Sequence, residues 1–124
     1  MNPKIKYFQD IGDLSKERLV LVVEREDDIG NYLIFRTDSA GDDSVSSSVK
    51  ATFWFPNKPV KAGDFIVLYT KSGKQSEKTA SSGITSHFFY WGFPTAIWSE
   101  GEAAVILRTS EWSFSAVSGN NRKS

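Results

Sequence analysis

His87 is the first residue to weigh for chemistry, because it is the one histidine of a 124-residue chain that contains no cysteine. A Ser-His-Asp arrangement would have to use it, and a histidine-rich metal site, a thiol nucleophile and a cysteine zinc site are all excluded. No Gly-x-Ser-x-Gly elbow, phosphate-binding glycine loop or dinucleotide fingerprint frames it. We therefore predict a protein that is not an enzyme and has no cofactor and no metal site, with His87 a half-buried or surface residue of a strand.

Acidic residues are the second candidate group, since several carboxylates on one tight loop could bind calcium. Residues 38–43 nevertheless lack the alternating ligand spacing and the closing glutamate of an EF-hand loop. We predict a solvated loop, with cation binding at residues 38–43 as the open alternative. Seven acids lie between residues 24 and 43: Glu24, Glu26, Asp27, Asp28, Asp38, Asp42 and Asp43.

Lysines dominate the segment 58–78, where they could contact phosphates if the two ends of the segment come together. The whole chain has 15 basic and 15 acidic residues, so any such contact must be local. The competing interpretation is a solubilising loop. A nucleic-acid-binding module is therefore an alternative function, and Lys71 and Lys74 are candidate binding residues. The five lysines of the segment are Lys58, Lys61, Lys71, Lys74 and Lys78.

Aromatic residues give the strongest lead. Residues 53–55 and 88–91 place large rings on both faces of a predicted strand, whereas a strand of a sandwich turns only one face to its core. If Phe53 and Phe55 point inward, Trp54 points outward. On the predicted strand at residues 84–91, either His87, Phe89 and Trp91 point outward, or Phe88 and Tyr90 do. Exposed rings favour an interface with a protein partner or a second copy, and a carbohydrate-binding surface is a further alternative.

Runs of β-branched and aromatic residues identify the strands that would position these side chains. The first two form a predicted hairpin, and long polar loops are expected at residues 38–48 and 72–83. In the turns at residues 61–64 and 99–102 a glycine beside an acid predicts positive φ. The predicted strands are residues 19–23, 32–37, 49–55, 65–71, 84–91, 103–109 and 112–117, with a short edge strand possible at residues 5–8.

This spacing predicts an all-β protein, either a sandwich or a barrel, and the two long polar loops favour a sandwich because they fit crossings between sheets. The length fits one domain, residues 1–117, followed by a flexible C-terminal tail at residues 118–124 that has no apolar residue. The sequence has no apolar signal segment and no run of eighteen apolar residues, so we expect a soluble, cytoplasmic protein that does not contact a membrane.

The second half of the chain has a distinctive order of strands and turns. An aromatic strand ends at Pro56, a glycine turn at residues 60–64 precedes a strand that ends at Thr70, and Trp98 with the turn at residues 99–102 precedes the strand at residues 105–107. This order resembles the lamin-tail domain, which implies an immunoglobulin-like antiparallel β-sandwich of about seven to nine strands. The Leu-x-Gly-Trp element expected after the first strand is missing. The resemblance implies a non-catalytic module that binds proteins or DNA. We expect protein binding or self-association through Trp54, His87, Phe89 and Trp91.

Overall fold

The computed structural model describes residues 1–41 and 43–117. Asp42, one of the acids weighed for cation binding, and the predicted C-terminal tail at residues 118–124 lie outside the described residues. Within the described part of the chain the protein is an all-β sandwich, which confirms the predicted fold class. Ten strands form three sheets there, and the only helix is one turn of 3-10 helix at Ile29–Asn31.

The larger sheet has five strands, in the order β1-β2-β7-β9-β8. Its strands pair antiparallel except for β7 and β9, which run parallel in a fold expected to be antiparallel throughout. Parallel neighbouring strands need a crossover connection. Residues 70–84, which include β8, form this connection. The five strands are β1 (Lys4–Gln9), β2 (Arg18–Val22), β7 (Phe65–Tyr69), β8 (Ser76–Thr79) and β9 (Thr85–Tyr90).

The opposing sheet has three strands in the order β10-β4-β5, and a separate two-stranded pair joins β3 to β6. The strands of these two sheets are β3 (Asp27–Asp28), β4 (Tyr32–Asp38), β5 (Ala51–Trp54), β6 (Pro59–Val60) and β10 (Glu102–Arg108).

In both turns for which positive φ was predicted, the glycine adopts it: Gly63 at 90° and Gly101 at 88°.

The core lies between the two larger sheets. Successive side chains of a strand point to opposite faces of the sheet, so every second residue points into the core. On this inner face, Leu19 and Leu21 of β2 pack beside Ile66 and Leu68 of β7. The β5 side contributes aromatic rings: Phe55 lies 5.0 Å from Phe89, centroid to centroid. The remaining fully buried members of this cluster are Val23, Ile29, Tyr32, Ile34 and Val60.

Three local predictions were wrong. β2 and β4 do not form a hairpin, because β2 is paired with β1 and β7 on its two edges while β4 belongs to the other sheet. Residues 112–117 form no strand. Conversely, β8 lies inside the predicted polar loop: its side chains are exposed, and its backbone pairs with β9.

A buried carboxylate fixes the end of β7. Glu17 is fully buried and accepts a hydrogen bond from the Thr70 hydroxyl at 2.5 Å and from the backbone N–H of Ile97 at 3.0 Å. Because these donors satisfy the carboxylate, its burial is tolerated. The arrangement holds the chain so that Lys71, the next residue, reaches the backbone oxygen of Ser15 at 2.8 Å.

Candidate functional site

The alternating side chains of β9 settle which aromatic set faces outward. His87 and Phe89 are 4% and 1% exposed, and Trp91 packs against the core, so the expectation that these three form an exposed binding face does not hold. Phe88 and Tyr90 are the outward residues. The physical reason is that Phe89 fills the space opposite Phe53 and Phe55 in the core.

His87 has a structural partner in Asp64. Its Nε2 lies 2.9 Å from Asp64 Oδ2, and the same carboxylate accepts hydrogen bonds from the backbone N–H groups of Lys61 and Thr85. Burial raises the pKa of Asp64, but the hydrogen bonds from His87 and the two backbone groups outweigh it and lower that pKa below its ordinary value. The pair joins the turn before β7 to the start of β9. His87 Nδ1 is buried and has no hydrogen-bond partner in the described residues.

The outer face of the five-stranded sheet is apolar, and cations surround it; we call it the cationic face. The register places Val20 opposite Val67, and Val67 opposite Phe88. Val20 and Val67 are only 5% and 8% exposed although they point away from the core, because larger neighbours cover them. The apolar members are Tyr7, Val20, Val22, Phe65, Val67, Tyr69, Phe88 and Tyr90, and the basic members are Lys4, Lys6, Arg18, Lys71 and Lys78.

Basic side chains cover several rings of the cationic face. Lys6 Nζ lies over the Phe65 ring at 5.2 Å from its centroid, and Lys71 Nζ lies over Tyr69 at 4.9 Å. The Arg18 guanidinium is 5.7 Å from Tyr69. Tyr69 also stacks on Tyr90, with centroids 5.3 Å apart and planes at 9°. Cations over ring faces are stabilising, and here they cover a face of Phe65 and of Tyr69.

The cationic face has a local excess of positive charge. Arg18 pairs with Asp10 at 3.2 Å. In the described residues, no carboxylate lies within ion-pair distance of Lys6 or Lys71. A shallow cleft of about 260 Å³ runs over the middle of the face between Tyr7 and Phe88. The arrangement can therefore bind a ligand that combines apolar groups with negative charge.

The structure separates the five lysines of residues 58–78. Lys71 and Lys78 belong to the cationic face, whereas Lys58 pairs with Glu77 at 3.0 Å and lies 5.9 Å from the ring of buried Phe89. Lys61 and Lys74 are exposed in the connections before and after β7. Of the five lysines, therefore, two lie on the cationic face and three lie elsewhere.

Trp54 faces outward as predicted and is 44% exposed. Its indole N–H donates to the backbone oxygen of Gly30 at 2.9 Å, which fixes the ring at the edge strand β5. Trp112, which is 60% exposed, meets it edge to face, with centroids 4.8 Å apart and planes at 85°. The two rings border a cleft of about 270 Å³, which we call the tryptophan cleft. Its other lining residues are Gly30, Asn31, Phe55, Pro56 and Asn57.

Two of the acids weighed for calcium, Asp27 and Asp28, have hydrogen-bond partners within the fold. Asp27 Oδ2 accepts the Tyr32 hydroxyl at 2.5 Å, and Asp28 Oδ1 accepts the backbone N–H groups of Gly30 and Lys58. Burial raises the pKa of Asp27, but the hydrogen bonds from Tyr32 and its other donors lower it overall. Among the described residues no group of three or more histidines, cysteines or acids could hold a metal ion.

Sequence reasoning missed half of the cationic face. Tyr7, Lys6 and Arg18 come from β1 and β2, far in sequence from the lysine-rich segment. A usable signal was the alternation of Arg18, Val20 and Val22, which predicts one shared face. Trp112 was predicted to lie in a strand, and its contact with Trp54 was not predicted.

The comparisons with known proteins assign no family. No protein-family model matches the sequence, and no curated protein matches it either. In the described part of the chain, no helix is long and apolar enough to cross a membrane. The geometry of the two exposed aromatic regions is therefore the basis for a functional proposal.

Proposed function

We propose that the protein is a non-catalytic interaction module that binds an acidic segment of another protein on the cationic face. The observation that carries this proposal is the combination, on one sheet face, of partly exposed rings with Lys6 and Lys71, which have no carboxylate partner in the described residues. Carboxylates of a partner would pair with these cations, and its apolar side chains would cover the ring edges.

The covered ring faces of Tyr69 favour a protein partner over a nucleic acid. Bases bind by stacking on free ring faces, but the faces of Tyr69 are occupied by Tyr90 and by Lys71 and Arg18. Tyr90 packs closely against Gly73 on the far end of the sheet, where an added Cβ would lie 2.3 Å from its ring. The same covering of faces argues against carbohydrate binding on this face.

The positive charge of the cationic face argues against self-association through this face. A two-fold dimer through the cationic face would bring Lys6 and Lys71 of one copy against the same cationic surface of the other. Like charges at an interface are destabilising, so a different, acidic partner fits this surface better than a second copy does.

Other sequence-based expectations belong to the same proposal. The immunoglobulin-like class is supported by two facing sheets that share one core, with the chain crossing between them after β2, β5 and β9. The lamin-tail resemblance stays a prediction. The absence of enzymatic activity and a cytoplasmic location remain predictions of the proposal.

The test measures the affinity of the purified protein for three labelled probes by fluorescence anisotropy. The probes are a ten-residue peptide of alternating glutamate and leucine, the matching lysine and leucine peptide, and a twelve-residue oligothymidylate. We expect binding of the acidic peptide alone. Preferential binding of the oligothymidylate would replace the protein partner by a nucleic acid, and equal binding of both peptides would refute the role of charge.

A double charge reversal locates the site. Lys6→Glu with Lys71→Glu should weaken binding of the acidic peptide at least about a hundredfold, equivalent to about 2.7 kcal/mol. Lys61→Glu is the matched control, because Lys61 is exposed and lies outside the cationic face. An equal loss in the control would contradict the proposal.

A further inference from the structure

The tryptophan cleft lies apart from the cationic face and has a different chemical character. It is built on β5, the 3-10 turn at Ile29–Asn31 and the segment that contains Trp112, whereas the cationic face belongs to the other sheet. Its seven lining residues carry no ionisable side chain. Among the described residues no cation lies over either indole ring. The cleft therefore presents aromatic surface that no cation covers, in a lining without charged side chains.

The two indoles form a corner rather than a flat platform. Their planes meet at 85°, and Trp54 is held in place by its hydrogen bond to Gly30. A ligand in the corner can contact one ring face with its flat side and the other ring with its edge. The negative potential of an indole face attracts polarised C–H groups as well as cations.

Polar groups lie beside the rings. Asn57 is exposed, and its side-chain amide makes no hydrogen bond within the described residues. A primary amide offers both a donor and an acceptor, so it can bind two neighbouring hydroxyl groups at once. The Asn31 amide makes only a long hydrogen bond of 3.3 Å to Asp27, which leaves donor capacity toward the cleft.

Gly30 makes this geometry possible. A Cβ at residue 30 would lie 2.7 Å from the Cα of Asn57, so only glycine allows the segment that carries Asn57 to approach this closely. The contact places the Asn57 amide against Gly30, whose carbonyl accepts the hydrogen bond from the Trp54 indole.

We propose that the tryptophan cleft binds a neutral carbohydrate. A pyranose ring has flat C–H faces that suit bare indoles and neighbouring hydroxyls that suit a free amide, and it requires no charge from the protein. The volume of about 270 Å³ lies just below the usual range of ligand sites, which fits one or two sugar units of a longer chain. This inference is independent of the function proposed for the cationic face.

The experiment is affinity gel electrophoresis of the whole chain in native gels. The gels contain one soluble polysaccharide each: hydroxyethylcellulose, laminarin, galactomannan or, as the charged counterpart, polygalacturonate. We expect at least one neutral polysaccharide to retard the protein, equally at 50 and 500 mM NaCl. Retardation by polygalacturonate alone, or by none of the four, would overturn the proposal.

Variants assign the binding to the cleft. Trp112→Ala is the principal one, because Trp112 lies outside the strands and its removal leaves the core intact; we expect at least a tenfold loss of affinity. Asn57→Ala should lose a similar amount. Tyr7→Ala is the matched control, since Tyr7 is 45% exposed, close to the value for Trp54, and belongs to the other sheet. A loss with Tyr7→Ala but not with Trp112→Ala would contradict the assignment.

A proline-rich peptide is the competing occupant, because such peptides also bind aromatic grooves. Isothermal titration with octaproline distinguishes the two. Binding of octaproline that Trp112→Ala abolishes, without retardation by any neutral polysaccharide, would replace the carbohydrate by a peptide ligand and refute the inference.

Discussion

The cationic face and the tryptophan cleft both expose aromatic rings, yet they differ in what surrounds the rings. On the cationic face Lys6, Arg18 and Lys71 lie over the rings and shield them. In the cleft, Trp54 and Trp112 contact each other and border neutral residues. Exposure of aromatic residues alone therefore does not define a ligand class, because the neighbouring charges decide whether ring edges or ring faces are available.

The regions also differ in their importance to the fold. Rings of the cationic face cover Val20 and Val67, which would otherwise be open to water on the outer side of the sheet. Trp112 lies on a segment without strand pairing and contacts Trp54 and Phe114. We expect substitutions on the cationic face to affect stability as well as binding, and substitutions at Trp112 to affect binding alone.

The largest expected effect on stability comes from the glycines beneath the two regions. Gly30→Ala should lower the free energy of unfolding by about 3 kcal/mol, at the upper end of the range for overpacking, because the new Cβ would meet the backbone of Asn57. Gly73→Ala should cost about 1 kcal/mol, since the obstacle there is the ring of the partly exposed Tyr90 rather than backbone. Urea denaturation compares them, and a greater loss for Gly73→Ala would reverse the expected order.

The next effect separates a structural ring from a removable one. Tyr69→Ala should lower the free energy of unfolding by about 2 kcal/mol, because it removes the stack on Tyr90 and two cation contacts along with buried area. Trp112→Ala should change it by less than about 0.5 kcal/mol. Thermal and urea unfolding monitored by circular dichroism provide the values; equal losses would mean that the two regions do not differ in this respect.

Salt should distinguish the ligands of the two regions. Raising NaCl from 50 to 500 mM should weaken acidic-peptide binding about tenfold, about 1.4 kcal/mol, because exposed charges are screened beyond a few ångströms at high ionic strength. Binding of a neutral polysaccharide should stay constant. If both affinities fell together, the contrast in charge would not govern ligand choice.

The smallest expected effect is the response to acid. The folded-state pKa of Asp64 is lowered relative to its ordinary value of 3.8, so the ionised carboxylate stabilises the fold above that value. This contribution is lost as the pH falls below about 4 and through the lower folded-state pKa. Asp64→Asn should therefore show a shallower loss of stability between pH 5 and pH 2 than the parent chain does. Urea midpoints measured across this range test it, and identical slopes would contradict a role for Asp64.

Sequence patterns predicted the all-β fold and most strands, because alternation and turn glycines are local signals. They divided the rings of β9 into two sets but did not show which set is buried, since both sets contain large aromatics. The choice depends on Phe53 and Phe55, which lie on a different sheet. β8 was missed for a related reason: Ser76, Glu77, Lys78 and Thr79 have no apolar pattern, and pairing with β9 alone makes them a strand.

The exposed sites were predicted in part. Trp54 was correctly placed outward, because its neighbours Phe53 and Phe55 fill the core side of β5. Its partner Trp112 could not be inferred, since the alternation of residues 112–117 resembles a strand and only the folded chain brings the segment beside β5. The cationic face joins residues from β1, β2, β7 and β9, and this assembly follows from sheet order, which local patterns do not specify.

The most direct test of the central claim is a ¹H–¹⁵N NMR titration of the protein with the alternating glutamate and leucine peptide. We expect the shifts to concentrate on the amides of β2, β7 and β9 around Val20, Val67 and Phe88, while those of Gly30, Trp54 and Asn57 stay unchanged. Shifts centred on the tryptophan cleft, or no saturable shifts on the cationic face, would contradict it.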